Sequence, residues 1–336
     1  MPHMDKNDLV LVTGAGGFVG GHLLAALRQK GHRRLRGVDI KPVGEWYQHF
    51  DGVQNLILDL RDKSACDLAC RDVGYVFNLA ADMGGMGFIE LNKALCMLTV
   101  LINTHMLLAA RDAGVRRFFF SSSACVYAAE KQTTVAGTPL AESDAYPAMP
   151  EDGYGWEKLF SERMCRHFTE DFGLETRVAR YHNVYGPYGT FDGGREKAPA
   201  AVCRKVIQAQ LSGADEIEIW GDGEQTRSFT YIDDCVYGTL ALMQSEVTEP
   251  LNIGSEELVT INRLVDVVEQ IAGVKLKRRY NLEAPKGVRG RNSDNRLIRQ
   301  RLGWAPLVRL EDGMRKTYEW ISRRMTARVE GRKVNV

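Results

Sequence analysis

The stretch DLVLVTGAGGFVG, residues 8–20, is the part of the sequence that decides the fold. Its first six residues form a short apolar run, which predicts a buried parallel strand. A glycine-rich turn follows, and Phe18 begins a helical pattern. Strand, turn and helix in this order indicate a dinucleotide-binding loop. In such a loop Gly14 permits the tight turn, Gly17 admits a pyrophosphate and Gly20 lets the helix pack on the strand.

Two acidic residues at the ends of the next predicted strands extend this cofactor site, together with the helix-start residues Phe18 and Val19. Asp39 closes the second strand, where its carboxylate accepts hydrogen bonds from the adenosine ribose and repels a 2′-phosphate. The sequence therefore favours NAD over NADP. Asp59 closes the third predicted strand and is predicted to reach the adenine. The alternative is an ordinary tight turn with two solvated carboxylates.

Beyond the loop, predicted strands alternate with helices as far as Tyr181, which indicates a Rossmann-type, doubly wound parallel sheet in an α/β fold. After Tyr181 the alternation loosens, so a smaller C-terminal α/β lobe is expected to bind the substrate. We predict an NAD-binding lobe of residues 1–181 and 225–249, a substrate lobe of 182–224 and 250–330, and a tail of 331–336.

Composition excludes several other classes of protein. The 336 residues carry 44 Lys and Arg against 43 Asp and Glu, a net charge of +1, which argues against a nucleic-acid binder. The seven cysteines contain no CxxC pair, so neither a disulfide framework nor a metal site is indicated. We find no apolar run near ~18 residues and no signal-peptide pattern. A cytoplasmic protein without metal, membrane or nucleic-acid partner is expected.

Three polar residues downstream carry the pattern of a redox site. Tyr154 and Lys158 stand four apart at the start of a predicted helix and share a face. Ser123 follows the fifth predicted strand, at the carboxyl edge where α/β sheets bind ligands. A tyrosine base needs its pKa lowered from ~10 toward neutrality, about 4 kcal/mol, which a lysine and an oxidised nicotinamide can supply. Alone, Tyr-x-x-x-Lys is more often a surface pair.

This order of motifs resembles the extended short-chain dehydrogenase/reductase superfamily, and five further blocks resemble the GDP-mannose 3,5-epimerase family within it. The blocks are NLAADMGGMGF (78–88), SSACVY (122–127), GGREKAPAA (193–201), WGDGEQTRSFT (220–230) and GVRGRNSDN (287–295). The resemblance implies an isomerase that converts GDP-D-mannose to GDP-L-galactose, with GDP-L-gulose as a side product. NAD would be recycled in each turnover through transient oxidation at carbon 4, C–H inversion and re-reduction.

The resemblance also assigns roles to residues. Cys125 is implied as the base and Lys197 as the acid of the inversion, with Tyr154, Lys158 and Ser123 acting at carbon 4. Without the matching blocks, Cys125 would be a small buried residue and Lys197 an exposed lysine. The implied substrate contacts are Gly84, Ser123, Ala124, Cys125, Tyr154, Asn183, Glu196, Lys197, Ala198, Lys205, Gln225, Arg227 and Arg291. A homodimer through helices near 89–113 and 152–172 is expected.

Three alternatives stay open at this point. A nucleotide-sugar 4,6-dehydratase would place Asp-Glu where Ala124 and Cys125 stand, and water elimination needs that acid. The epimerase–reductase that forms GDP-fucose consumes NADPH, which Asp39 disfavours. A catalytically silent dinucleotide-binding module would not need Ser123, Tyr154 and Lys158 together.

Overall fold

The computed structural model describes residues 4–331, whose strands and helices we number in chain order. The strands are β1 Leu9–Thr13, β2 Arg34–Asp39, β3 Val53–Ile57, β4 Val73–Asn78, β5 Arg117–Ser123, β6 Pro139–Leu140, β7 Glu175–Tyr181, β8 Val184–Tyr185, β9 Glu216–Trp220, β10 Thr226–Ser228, β11 Thr230–Tyr231, β12 Leu251–Ile253, β13 Leu258–Thr260, β14 Lys277–Asn281 and β15 Gly290–Ser293. The helices are α1 Phe18–Gln29, α2 Lys63–Cys70, α3 Met86–Leu91, α4 Lys93–Met97, α5 Thr99–Asp112, α6 Asp152–Phe172, α7 Ala198–Ser212, α8 Ile232–Met243, α9 Ile261–Ala272, α10 Arg296–Leu302 and α11 Leu310–Val329.

A seven-stranded parallel sheet in the order β12-β7-β5-β4-β1-β2-β3 forms the centre of the fold. All five residues of β1 are buried, as the apolar run at residues 9–13 predicts. The predicted Rossmann-type sheet is therefore confirmed. The third strand ends at Ile57, so Asp59 follows the strand by two residues instead of closing it.

The smaller sheets lie mostly in the second half of the chain. A four-stranded mixed sheet has the order β13-β10-β15-β6, and two parallel pairs join β8 to β11 and β9 to β14. The division into two lobes stays a prediction, but one boundary within it is wrong. Leu251–Ile253, assigned from sequence to the substrate lobe, pairs with β7 in the large sheet. Three buried residues carry too little periodicity to reveal such a partner.

Residues 332–336, which make up most of the predicted tail, lie outside the described residues. Within the described part, Lys93–Asp112 is long and apolar enough to cross a membrane, by length and composition only. The expectation that no such run exists is therefore wrong. The stretch is 44% buried, and α5 packs against α2 and α6 of the same chain.

The parallel sheet also determines where a site can form. Since all seven strands point the same way, their carboxyl ends meet at one edge. The segments that leave this edge include the glycine turn after β1, the loop 79–85 after β4 and the turn 124–126 after β5. These segments carry most of the motifs that the sequence analysis selected.

Candidate active site

The cofactor loop is held together by close backbone contacts. Gly14 has φ +66, which favours glycine, and its carbonyl oxygen accepts a hydrogen bond from the Gly17 N–H at 3.0 Å. A Cβ on Gly20 would lie 2.2 Å from the Gly14 carbonyl oxygen. The Asp39 carboxylate accepts a hydrogen bond from the Gly16 N–H at 3.0 Å. The glycine cradle and the adjoining carboxylate fit a dinucleotide such as NAD.

Two residues that contact this loop, Lys41 and Trp46, were not predicted from the sequence. The predicted cofactor residue Asp59 contacts Arg61 and not the loop. Lys41 donates from Nζ to the Gly16 carbonyl at 2.5 Å, and the buried Trp46 packs against Gly16. Asp59 instead binds Arg61, with 3.0 Å between Arg61 Nε and the carboxylate, and that pair holds the pKa of Asp59 below its usual value. A role for Asp59 at the adenine stays a prediction. Phe18 and Val19 begin α1, as expected.

The predicted redox residues meet at the start of α6. Ser123 is the last residue of β5, and Tyr154 and Lys158 are both buried on α6. The Lys158 Nζ lies 5.5 Å from the centre of the Tyr154 ring. Burial raises the pKa of Tyr154 well above its usual value, the neighbouring Cys125 adds to this, and a hydrogen bond with Ser123 opposes it. Tyr154 therefore needs nearby positive charge before it can accept a proton.

The predicted acid and base of the inversion lie on opposite halves of the chain. Cys125 sits in a 3₁₀ turn after β5, where its N–H donates to the Ser123 hydroxyl at 3.2 Å. Lys197 is the extended residue directly before α7. Burial lowers the pKa of Lys197, an effect that the Cys125 thiol opposes. No carboxylate within residues 4–331 pairs with Lys197, so its charge is left for a ligand.

A cavity of ≈ 230 Å³ brings the predicted substrate contacts together. Every one of them lines it, although they come from segments spread between residues 84 and 291. They are Gly84, Ser123, Ala124, Cys125, Tyr154, Asn183, Glu196, Lys197, Ala198, Lys205, Gln225, Arg227 and Arg291. Their individual roles stay predictions, but their positions suit a single ligand.

Polar groups inside the cavity suit an anion that also carries hydroxyl groups. Among the described residues, buried Arg227 donates only to the carbonyls of Thr226, Lys286 and Val288, and burial lowers its pKa to about 10. Gln225 donates from Nε2 to the Trp220 carbonyl at 2.8 Å, while its buried Oε1 has no partner among the described residues. The Arg227 guanidinium without a carboxylate partner and the Gln225 Oε1 without a donor are both groups that a bound ligand would satisfy.

Three other polar residues of the cavity have partners within the chain. Lys205 donates from Nζ to the Glu218 carbonyl at 2.7 Å, and Asn183 donates to the Ser228 carbonyl at 3.0 Å. Glu196 accepts from Arg204 at 2.8 Å. Among the described residues, no group of three or more His, Cys, Asp or Glu side chains is arranged to hold a metal ion.

Comparison with known proteins agrees with this geometry. A model of the NAD dependent epimerase/dehydratase family matches residues 10–254. The chain belongs to this family. It is 47% identical over 323 residues to GDP-mannose 3,5-epimerase of Arabidopsis thaliana, covering 94% of this chain and 82% of the relative. It is 48% identical over 319 residues to GDP-mannose 3,5-epimerase 1 of Oryza sativa subsp. indica, covering 93% and 81%.

A solved structure in the same superfamily shares the whole fold. The UDP-glucose 4-epimerase of Thermotoga maritima, determined with UDP-glucose, superposes with a TM-score of 0.84 at 26% identity. The match covers 94% of this chain and 99% of that one. The resemblance drawn from the sequence blocks is thereby confirmed, as is NAD as the cofactor of the family.

Arg291 already has a carboxylate partner, whereas the described residues provide none for the cavity cations Lys197 and Arg227. Its Nη2 pairs with Glu151, its Nε donates to Gln132 Oε1 at 2.7 Å, and its Nη1 lies 3.7 Å from Cys125 Sγ. Neither Glu151 nor Gln132 was predicted from the sequence. Neither lies in a matching block, and each is more than a hundred positions from Arg291, so no local pattern could have found them.

Proposed function

We propose that the protein inverts GDP-D-mannose at carbons 3 and 5 to form GDP-L-galactose, with GDP-L-gulose as a side product. The observation that carries the proposal is the single cavity in which the predicted substrate contacts meet Tyr154, Cys125 and Lys197. The curated relatives at 47% and 48% identity are named for this reaction. Their names identify mannose as the sugar and guanine as the nucleobase, neither of which the shape of the cavity specifies by itself.

Oxidation at carbon 4 makes the inversion feasible. The C–H bonds at carbons 3 and 5 of the hexose are not acidic, but a ketone at carbon 4 makes both neighbours acidic. The Gly14–Gly20 loop would hold NAD, which would supply the hydride acceptor and later the hydride donor. Tyr154 takes the proton of the carbon 4 hydroxyl. A hydrogen bond with Ser123 holds the Tyr154 side chain in place. Lys158, whose Nζ lies 5.5 Å from the centre of the Tyr154 ring, provides positive charge that opposes the effect of burial on the tyrosine.

Cys125 and Lys197 then exchange protons with the ketone. The Cys125 thiolate takes the proton from carbon 3 or 5, and the C–H electron pair moves into an enolate that places negative charge on the carbon 4 oxygen. Lys197 donates a proton to the opposite face of that carbon, and the enolate collapses to the ketone with inverted configuration. Burial lowers the pKa of Lys197, which makes this proton easier to give.

Arg227 and Lys205 anchor the diphosphate in this proposal. Arg227 has no carboxylate partner in the described chain, so its charge is available to phosphate oxygens. The unpaired Gln225 Oε1 accepts from a ligand hydroxyl or N–H group. A nucleotide-sugar 4,6-dehydratase would carry Asp-Glu at the positions of Ala124 and Cys125, and would therefore lack the thiol that this proposal uses as a base.

Product analysis tests the proposal directly. The purified protein is incubated with GDP-D-mannose in heavy water without added NAD, with UDP-glucose as a matched control, and the sugars are identified by NMR. Deuterium at carbons 3 and 5 with formation of GDP-L-galactose supports the proposal. A 4-keto-6-deoxy sugar would identify a dehydratase instead. An unchanged sugar in an NAD-loaded protein would identify a binding module.

We also propose that the protein is a cytoplasmic homodimer, which forms through the helices near residues 89–113 and 152–172. Large apolar side chains are exposed there: Leu91 is 80% exposed, Leu98 47% and Phe160 50%. Exposed large apolar side chains on helices that pack together, as α4 and α6 do, favour an interface. All seven cysteines are free and buried, which suits a reducing compartment.

Oligomeric state tests this second proposal. Light scattering at micromolar concentration is expected to give a dimer for the wild type and a monomer for Leu98→Lys with Phe160→Lys. Leu307→Lys, at a position 81% exposed and outside these helices, serves as the control. A monomeric wild type, or wild-type protein that floats with lipid vesicles through residues 93–112, would contradict the proposal.

A further inference from the structure

Glu151 holds the guanidinium that faces the Cys125 thiol. It pairs with Arg291 Nη2, and it accepts a second hydrogen bond from Gln132 Nε2 at 3.1 Å. Gln132 in turn accepts from Arg291 Nε at 2.7 Å, which closes a three-residue ring of contacts. Arg291 is 5% exposed and the Glu151 side chain 11%. The ring therefore fixes the orientation in which Arg291 Nη1 lies 3.7 Å from Cys125 Sγ.

Backbone contacts join Glu151 to the same cysteine. The Glu151 N–H donates to the Cys125 carbonyl at 2.9 Å, and the Glu151 carbonyl accepts from the Gly155 N–H at 2.8 Å. Glu151 directly precedes α6, which carries Tyr154. One residue thus contacts the backbone of the proposed base, the cation beside its thiol and the helix of the proposed redox tyrosine.

The other groups around Cys125 carry mostly positive charge or none. Arg227 and Lys197 interact electrostatically with the thiol, and neither has a carboxylate partner within residues 4–331. Glu151 is therefore well placed to offset the Arg291 charge. The ionisable groups facing Cys125 are Arg291 on β15, Arg227 on β10, Lys197 before α7, Tyr154 on α6 and Cys96 on α4.

We propose that Glu151 is a positioning residue which, through Arg291, limits how strongly the site stabilises the Cys125 thiolate. The inference rests on the proposed function, in which Cys125 is the base. An unpaired guanidinium beside the thiol would favour ionisation, but the resulting thiolate would be a weaker base toward carbon. A carboxylate on Arg291 reduces that stabilisation while the ring keeps the guanidinium in place.

Thiol alkylation tests this directly in the NAD-containing protein. Glu151→Gln keeps an oxygen that accepts from Arg291 but removes the negative charge. The rate of Cys125 alkylation by iodoacetamide at pH 7, followed by peptide mass spectrometry, is expected to rise about threefold. Arg291→Gln, which removes the cation, is expected to slow it. The other six cysteines are 0% exposed and give an internal reference.

Asp152→Asn is the matched control. Asp152 is the next residue along the chain and pairs with Lys93 instead of Arg291, so its loss changes the net charge equally without touching the ring. Its alkylation rate is expected to stay near that of the wild type. An equal rise in Glu151→Gln and Asp152→Asn would assign the effect to general charge and overturn the proposal. An unchanged or slower rate in Glu151→Gln would also overturn it.

The alkylation result is independent of the sugar, so it decides this inference even if GDP-D-mannose is not converted. In an active enzyme, Glu151→Gln is expected to lower kcat about threefold on the high-pH plateau, where the thiol is fully ionised, with little change in KM, because a weaker base removes the proton more slowly. The acid limb of the kcat–pH profile moves to lower pH. A rise in KM with an unmoved profile would show that Glu151 only shapes the binding cavity.

Discussion

The cofactor loop and the substrate cavity are built in opposite ways. In the loop, Gly14, Gly17 and Gly20 contact one another within seven consecutive positions, and Asp39 follows one strand later. The cavity draws its lining from segments between residues 83 and 291, which meet only after several sheets and helices pack. A local backbone pattern thus determines the first site, whereas long-range packing determines the second. Variants in each region are expected to fail differently.

Loss of the tyrosine at the junction of the two regions gives the largest expected effect. Tyr154→Phe removes the proposed acceptor for the carbon 4 hydroxyl proton, so no ketone should form and no neighbouring C–H bond should become acidic. Turnover is expected to fall about 10⁴-fold. Deuterium uptake and the absorbance of reduced nicotinamide should both vanish while NAD content stays normal. Persistent deuterium uptake would remove Tyr154 from the redox step.

Cys125→Ala breaks the cavity chemistry without disturbing the cofactor loop. Carbon 4 oxidation continues because Tyr154 and Lys158 remain, so reduced nicotinamide should accumulate on the enzyme. Epimerisation is expected to slow about 10³-fold, as for loss of a positioned base. Lys197→Ala should behave alike, with weaker substrate binding. Cys165→Ala, which removes a different buried thiol, is the control. Deuterium exchange at the wild-type rate in Cys125→Ala would show that Cys125 has only a packing role.

Gly20→Ala tests the local half of the comparison. The added Cβ would lie 2.2 Å from the Gly14 carbonyl oxygen, so the loop must shift, at about 3 kcal/mol. NAD content of the purified protein and the unfolding free energy should both fall. Gly44→Ala, where nothing lies within 4 Å of the new Cβ, should change neither. Equal effects in both variants would show that the loop is not closely packed.

A pH effect on stability is the smallest expected change. Burial lowers the pKa of His182 to about 4, and its Nε2 lies 3.0 Å from Asn252 Oδ1. Because the folded state resists protonation, His182 lowers stability as pH falls below ~6.5, by about 2 kcal/mol at pH 5. Denaturant titrations at pH 7 and pH 5 should differ less in His182→Gln. An equal difference in both proteins would place the acid sensitivity elsewhere.

The sequence by itself determined the features that depend on neighbouring residues. The apolar run of β1, the glycine turn and Asp39 fix a strand–turn–helix unit because each constraint acts within one supersecondary element. Tyr154 and Lys158 share a helix face for the same reason. Blocks of matching sequence then identified the residues of the cavity, although no spacing argument alone would have joined Gly84 to Arg291.

Only the tertiary structure decided how distant residues are paired. The Glu151–Arg291 contact joins positions 140 apart, and β12 enters the large sheet through a partner about seventy residues earlier. Both depend on packing, since any carboxylate or short apolar run of suitable size satisfies the local pattern. Partial burial in the cavity wall likewise separates Lys197 from an ordinary surface lysine. Local sequence specifies backbone geometry, but the electrostatic surroundings of a side chain are set by the elements that fold around it.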